Sequence, residues 1–421
     1  MKLCVVGGGS SYTPELLRGI IDEFATLGIN DVVLTDPRQD RLGPVSAFCR
    51  KMVDAAGVPI CVTTETDLDK ALVGADFVVV QIRVGGQEGR HEDIQLGLRH
   101  GLIGQETTGV GGFAKAIRTV PVVLEIARRI EAIAPNAWML NFTNPAGLVT
   151  EAVLNHVRER CVGLCNVPIE MQMDLAEILG AKADEVTLDW VGLNHLGWVR
   201  RVDLRGKDML PELLEQIEDG VPGPANVPEI DYPPGFLKSL GAIPSSYVRF
   251  FYMPDEMLAE IQAAKLTRAQ EVAVIEEELL KIYADPESPP ELPALLSQRG
   301  GAWYSRLAVQ VLGALASDEP TVHIVNTRND GVIPGITYEA SVEVPCHISK
   351  HGVVPIPRGD VDDAILGLMQ QVKSYERLTI RAAVEKSPRL GMLALLANPL
   401  VPDAKVATAV MSDCVERGLL E

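Results

Sequence analysis

Apolar positions in the first half of the chain fall into short, nearly unbroken runs that alternate with longer stretches of helical period. Residues 2–6, 31–36, 59–63, 77–82, 138–142 and the run that ends at Cys165 have the length and composition of strands. Between them, residues 14–24, 41–57, 67–73, 113–133, 148–158 and 169–179 read as helices. In the first of these, Leu16, Leu17, Ile20, Ile21 and Phe24 share one face behind Pro14, the spacing an amphipathic helix requires. Residues 77–82 are apolar on every position but Gln81, as suits a parallel sheet buried on both faces. Strands alternating with helices in this way predict an α/β fold with a doubly wound, mostly parallel sheet.

Beyond residue 204 the pattern loses its regularity. Residues 220–234 and 285–293 are rich in proline and acids and read as surface loops; between them runs a helical stretch over 255–283. Further helices are expected over 305–316 and from 361 to the end, with strands over 321–327 and 341–344. The reading therefore divides the chain into a nucleotide-binding domain, 1–195, and an α+β domain for substrate and assembly, 196–421.

The first strand runs into Gly7-Gly8-Gly9-Ser10-Ser11-Tyr12, and Pro14 opens a helix. Strand, glycine turn and helix are the context of a dinucleotide phosphate site, where glycines let the backbone approach and the helix N-terminus faces the pyrophosphate. Gly7 and Gly9 fit that fingerprint, whereas Tyr12 stands where a third glycine is usual, so a plain tight turn also accounts for the stretch. The second strand ends in Asp36, placed to accept the ribose hydroxyls of NAD and to repel a 2′-phosphate. Arg38 pulls the other way, since an arginine there can accept that phosphate, and an Asp-Pro turn explains Asp36 without any ligand.

Composition narrows the partners. A net charge of −19 over 421 residues, with no long Lys/Arg cluster, argues against nucleic acid and anionic membranes. No apolar run approaches the roughly 20 residues of a membrane span, and the opening MKLCVVGGG fits a strand better than a signal peptide. Seven scattered cysteines, an odd number, suggest a reducing cytoplasm rather than a disulfide framework. An anionic ligand would then need a local pocket of arginines and helix N-termini.

Cys165 and His195 each close an apolar run and each stands next to an asparagine. Separately they read as a buried thiol and a hydrogen-bonded core histidine; together they suggest one metal site with open positions. Cys161 and Cys165 could begin a structural zinc site, but no second pair lies near.

The blocks GGGSSYTPEL, RVGGQEGRHEDI, GQETTGVGG, NFTNPAG, GLCNVP, GLNHLGW and SSYVRFFY, in that order, with VNTRNDGVIPG and VEVPCHI further on, resemble glycoside hydrolase family four. Its members are NAD- and divalent-metal-dependent glycosidases that depart from two-carboxylate hydrolysis. Asn166 after Cys165 makes the chain most similar to the 6-phospho-β-glucosidases, because the α-acting members usually carry an acid there. The resemblance implies Cys165 and His195 as metal ligands, with Mn²⁺ the ion, and Tyr247 as catalytic base. It implies Arg90, Asn144 and Asn166 as substrate contacts and Arg268 near the phosphate. The substrate would be a phosphorylated disaccharide or aryl glycoside, and a homodimer or homotetramer is expected.

In the reaction so implied, hydride leaves C3 of the sugar for NAD, the C2 hydrogen becomes acidic, and Tyr247 removes it. The C1 substituent is then eliminated, water adds, and the hydride returns. A free phenol titrates near ~10, so Tyr247 needs a neighbouring cation, the metal or Arg249. Two other functions share the same N-terminal features: an NAD-dependent hydroxy-acid or polyol dehydrogenase, and a non-enzymatic NAD-binding sensor.

Overall fold

The computed structural model describes residues 1–217, 220, 227–300 and 303–420. Six strands, β1 (Lys2–Val6), β2 (Asp31–Thr35), β3 (Cys61–Glu65), β4 (Phe77–Val80), β5 (Trp138–Asn141) and β6 (Cys161–Gly163), pair in parallel in the order β3-β2-β1-β4-β5-β6. This is the doubly wound arrangement expected from the sequence, and the strand order reverses between β1 and β4. Ligands bind outside the carboxyl ends of such strands at that reversal. β4 and β5 are buried along their whole length, which is why their residues are apolar without alternation.

A second, antiparallel sheet stands beside the first. Its hairpin of β7 (Val186–Leu193) and β8 (Leu196–Leu204) is extended on β8 by β9 (Lys207–Asp208) and β10 (Ile243–Pro244). Gly192 and Gly197 face each other across the hairpin, and a Cβ on Gly197 would lie 2.2 Å from the Trp190 ring. The indole therefore occupies the space that any larger residue at 197 would need. This sheet has its own core of Val186, Trp190, Val199, Leu213, Phe250 and Met257, and Cys165 and Tyr247 belong to the same cluster.

The chain then returns to the first sheet. β11 (Thr321–Arg328) pairs antiparallel with β6, followed by β12 (Ser341–Ser349) and β13 (Gly352–Pro355), giving nine strands in all. Three helices close the structure, Asp363–Glu385, Pro388–Ala397 and Ala404–Glu416. The first of them packs on helices Gly109–Ile133 and Ala146–His156. Lys373 is buried there, 2.9 Å from Glu151 and 2.5 Å from Glu376.

The structure differs from the sequence pattern at residues 83–93 and 255–283. Residues 83–93, read as a loop, turn at Gly85 and Gly86 (φ +83° and +62°) and are helical over Gly86–Arg99. That helix is fixed by a bidentate ion pair of Asp93 with Arg118 at 3.0 and 2.6 Å. The single helix expected over 255–283 is two, Pro254–Ala263 and Arg268–Ala284. The second begins at Thr267, whose hydroxyl and the Gln270 side chain cap each other's backbone N–H. Of the loop expected at 220–234, residues 221–226 lie outside the described residues. Among the described residues no helix is long and apolar enough to cross a membrane.

Candidate active site

At the end of β1 the backbone N–H groups of Gly7 and Gly8 both donate to the Thr35 carbonyl at 2.9 Å. A Cβ on Gly7 would sit 2.8 Å from the Gln81 carbonyl oxygen, and one on Gly8 would sit 2.8 Å from Leu34. Gly7 also takes φ +87°, a conformation only glycine adopts without strain. The turn is thus held flat against the sheet, leaving its outer face to a ligand's phosphates. Gly9 N–H donates to Asp36 Oδ2 at 3.2 Å, and Ser10 and Ser11 lead into the helix Thr13–Asp22. Asp36 is half-buried and also accepts from the Arg38 N–H at 2.9 Å. The Arg38 guanidinium is exposed and paired with Asp40 at 2.5 Å. A glycine cradle with a partly open carboxylate beside it fits the adenosine and pyrophosphate of a dinucleotide.

Behind this turn lies a group the sequence reading did not single out. Glu276, buried, is 2.7 Å from Arg299 and 3.2 Å from Arg41, and it accepts from Ser11 and Gln87 at 3.4 and 3.3 Å. Burial would raise its carboxyl, but Arg299 and Arg41 outweigh that and bring it down to about 2. Arg41 also donates to the Gly9 carbonyl at 3.2 Å, and Arg299 lies over the Tyr12 ring at 4.2 Å. Tyr12, in place of a third glycine, is therefore a platform for a guanidinium beside the cofactor turn.

A second buried carboxylate, Glu106, gathers Arg83, Arg90 at 2.9 Å and Lys115. Burial alone would raise it, and the three cations instead hold it well below the usual carboxylate range. Burial lowers Lys115 to about 8 and Arg90 to about 10 against the pull of Glu106. Tyr247 is among the groups that favour the Arg90 charge, so Arg90 is a cation near this phenol. Arg249, which the sequence offered beside the metal as that cation, lies over Tyr232, 5.9 Å from the ring centroid.

His195 occupies the two-residue turn with Asn194 between β7 and β8, at φ +60°. Its ring stacks on Tyr247 with centroids 3.9 Å apart and planes 12° from parallel. Tyr247 comes from the short turn of helix Ser246–Val248 and is buried. Burial lowers the imidazole to about 3, so the ring is neutral at ordinary pH. Cys165 lies just beyond β6, buried, with its thiol pushed well above the ordinary range by burial and by Glu343. The Asn194 side chain hydrogen-bonds that thiol and donates to Glu343 at 3.2 Å. One asparagine thus ties the cysteine to the turn that carries the histidine. A neutral imidazole and a thiol whose ionised form needs a cation nearby suit a divalent ion with open positions. Among the described residues no set of three or more His, Cys, Asp or Glu converges on one point.

The remaining candidates stand at three other points of the chain. Asn144 follows β5 and its side-chain oxygen accepts from Ala146 N–H at 3.3 Å. Asn166 stands at the head of helix Val167–Ile178 and donates to Glu170 at 2.6 Å. Arg268 is committed to Glu271 at 2.9 Å and to the Gln298 carbonyl at 2.7 Å; neither partner belongs to the Cys165–His195–Tyr247 group. Residues from the last seventy, which carried no signal in the sequence, do reach the site. Val372, Tyr375, Glu376 and Asn398 line a small cavity with Thr107, Asn194 and His195.

Known proteins resemble this chain along its whole length. The family model described as "Family 4 glycosyl hydrolase" matches residues 2–181, and that of its C-terminal domain matches residues 190–401. A "probable 6-phospho-beta-glucosidase" of Bacillus subtilis (strain 168) is 40% identical over 99% of this chain and 96% of its own. A 6-phospho-beta-glucosidase of Escherichia coli (strain K12) is 38% identical over 95% and 91%. The 6-phospho-beta glucosidase of Thermotoga maritima, solved with manganese, NAD+ and glucose-6-phosphate, superposes with a TM-score of 0.91 at 36% identity, covering all of both chains. With both halves matched and the likeness sustained from end to end, the chain belongs to the family 4 glycosyl hydrolases.

Proposed function

We propose that this chain is a 6-phospho-β-glucosidase that works with NAD and a divalent ion, Mn²⁺ foremost, on a phosphorylated disaccharide or aryl glycoside. The observation that carries the reading is the stack of His195 on Tyr247, with Cys165 tied to the same turn and Arg90 beside the phenol. Bound, the nicotinamide supplies a reversible hydride acceptor and the metal ion a Lewis acid.

The chain's own residues do the rest. Gly7 and Gly9 let the pyrophosphate approach, Ser10 and Ser11 offer hydroxyls at the helix start, and Asp36 takes the ribose hydroxyls. Arg38, already paired with Asp40, leaves Asp36 to disfavour a 2′-phosphate. Tyr247 removes the C2 proton, and a guanidinium nearby favours the phenolate it needs. His195 offers a neutral nitrogen and Cys165 a thiolate to the ion. Arg90, Asn144 and Asn166 orient the sugar, with Arg268 toward the phosphate end. A cytoplasmic setting fits a chain whose seven cysteines are all free, and a homodimer or homotetramer is the assembly that the family resemblance implies.

A panel of p-nitrophenyl α- and β-glucosides, with and without the 6-phosphate, assayed with NAD and Mn²⁺, tests this. Release of p-nitrophenol from the phosphorylated β-glucoside without net NADH is the expected result. One NADH formed per product would instead mark a dehydrogenase, and NAD binding without turnover on any of the four would mark a sensor.

A further inference from the structure

The loop before helix Gly109–Ile133 holds a chain of hydrogen bonds that ends on His195. The Gln105 side-chain oxygen accepts the Thr107 backbone N–H and, at 2.9 Å, the Thr108 backbone N–H. Two backbone donors converge on this one atom, so it is the amide's oxygen and not its nitrogen. The Thr107 hydroxyl lies 2.8 Å from the same oxygen and 2.9 Å from Nδ1 of His195. It has one proton. Given to Nδ1, that proton would leave two oxygens facing each other at 2.8 Å with nothing between them. Given to Gln105, it leaves the Thr107 oxygen free to accept from an Nδ1–H, and both contacts of the hydroxyl are satisfied.

We propose that Gln105 and Thr107 are positioning residues that fix His195 in the tautomer with its proton on Nδ1, leaving the Nε2 lone pair to the divalent ion. The proposal rests on the reading of His195 as a metal ligand, and it adds what makes the imidazole ready before the ion arrives. Orientation of a ligating histidine through its other nitrogen is a general way to set ring angle and basicity. Here a hydroxyl backed by an amide takes the part more often played by a carboxylate or carbonyl.

The glycines around this loop serve the same end. A Cβ on Gly111 would lie 2.2 Å from the Gln105 carbonyl oxygen, and one on Gly112 would lie 2.5 Å from that of Thr107. The helix can therefore press directly on the loop and hold both residues in register with the β7–β8 turn. Gln105 is buried, so solvent does not compete for its oxygen.

The test is ¹⁵N NMR on the full chain labelled at histidine and free of metal, with His195 assigned by comparison with H195N. The wild-type ring should carry its proton on Nδ1, and T107S should keep it there. In T107V, which removes the acceptor at similar volume, a substantial fraction should shift to Nε2–H, and Mn²⁺ affinity measured by EPR should fall about tenfold or more, while T107S stays within about threefold of wild type. A wild-type ring protonated on Nε2 overturns the proposal, and this measurement needs no variant to fold. So does a folded T107V with unchanged tautomer and unchanged Mn²⁺ affinity. Failure of the wild type to bind Mn²⁺, or Mn²⁺ that leaves the His195 signals untouched, would instead remove the ligand reading and leave the tautomer to be judged separately.

Discussion

Cys165, His195 and Tyr247 come from three separate segments, and the proposed reaction asks something different of each. Cys165 is the softest donor, and burial keeps its thiol protonated. Cys165→Ser should weaken Mn²⁺ binding by more than the roughly 10–100-fold that loss of an outer partner costs. NAD affinity should hold, because the glycine turn and Asp36 are not among the residues that contact Cys165; equal loss of both in isothermal titration would contradict this. Tyr247→Phe keeps the ring stacked on His195 but removes the hydroxyl proposed as the base. Exchange of the C2 hydrogen with solvent should slow by about 10²–10⁴-fold, read by NMR of the substrate in D₂O. Undiminished wash-in would take Tyr247 out of that role. Cys165 and His195 stand out in the sequence by type and neighbours, whereas Tyr247 stands out through the family resemblance alone. Their partners do not stand out: Glu106 and Glu276 each collect cations from distant segments, and no periodicity announces a meeting between Arg41 and a residue 235 positions away.

Elements set the site's geometry through close approaches. The hairpin β7–β8 presents His195 only because glycine at 197 leaves room for Trp190. Gly197→Ala would drive the indole away and should destabilise the fold by about 1–3 kcal/mol, the usual cost of overpacking. Chemical denaturation would measure this, and an unchanged midpoint would show that the hairpin yields without cost. Helix Arg268–Ala284 brings Glu276 under the cofactor turn, and its ionisation has a pH signature. The folded carboxyl titrates at about 2, below its ordinary 4.5. Its contribution is therefore present above pH 4.5 and is lost as pH falls through 2. The shift corresponds to about 3 kcal/mol. Glu276→Gln should be less stable than wild type at pH 7, and the gap should close toward pH 2; a gap that does not change with pH would place the carboxyl elsewhere. The sequence showed the strands and most helices because burial on two faces and helical period leave local marks. It missed the helix Gly86–Arg99 because Gly85, Gly86 and Gly89 read as a loop, whereas only the first two form the turn.

At the scale of the whole molecule, the C-terminal half is built into the first sheet. β11 lies on β6, and Lys373 reaches Glu151 from a helix more than two hundred residues further along the chain. The parallel six-strand core was legible from spacing alone. Two of the three added strands were legible as strands, over 321–327 and 341–344, but their place in the first sheet was not, because a pairing between residues 163 and 326 leaves no local trace. Lys373→Met would leave Glu151 buried with only the Ser341 N–H at 2.8 Å and a remote guanidinium. The expected loss is about 3–5 kcal/mol, seen as a lower melting temperature for the chain as a whole. A melt in which only the C-terminal helices loosen would show that the two halves are less coupled than the ion pair implies.

The central claim is that a C2 proton leaves and returns in each turnover while the cofactor ends as it began. It is tested by letting the enzyme, with NAD and Mn²⁺, hydrolyse p-nitrophenyl 6-phospho-β-glucoside in D₂O and examining the released sugar by mass spectrometry and NMR. The account predicts one deuterium at C2 of the glucose 6-phosphate and no accumulated NADH. A product with hydrogen retained at C2 would contradict it.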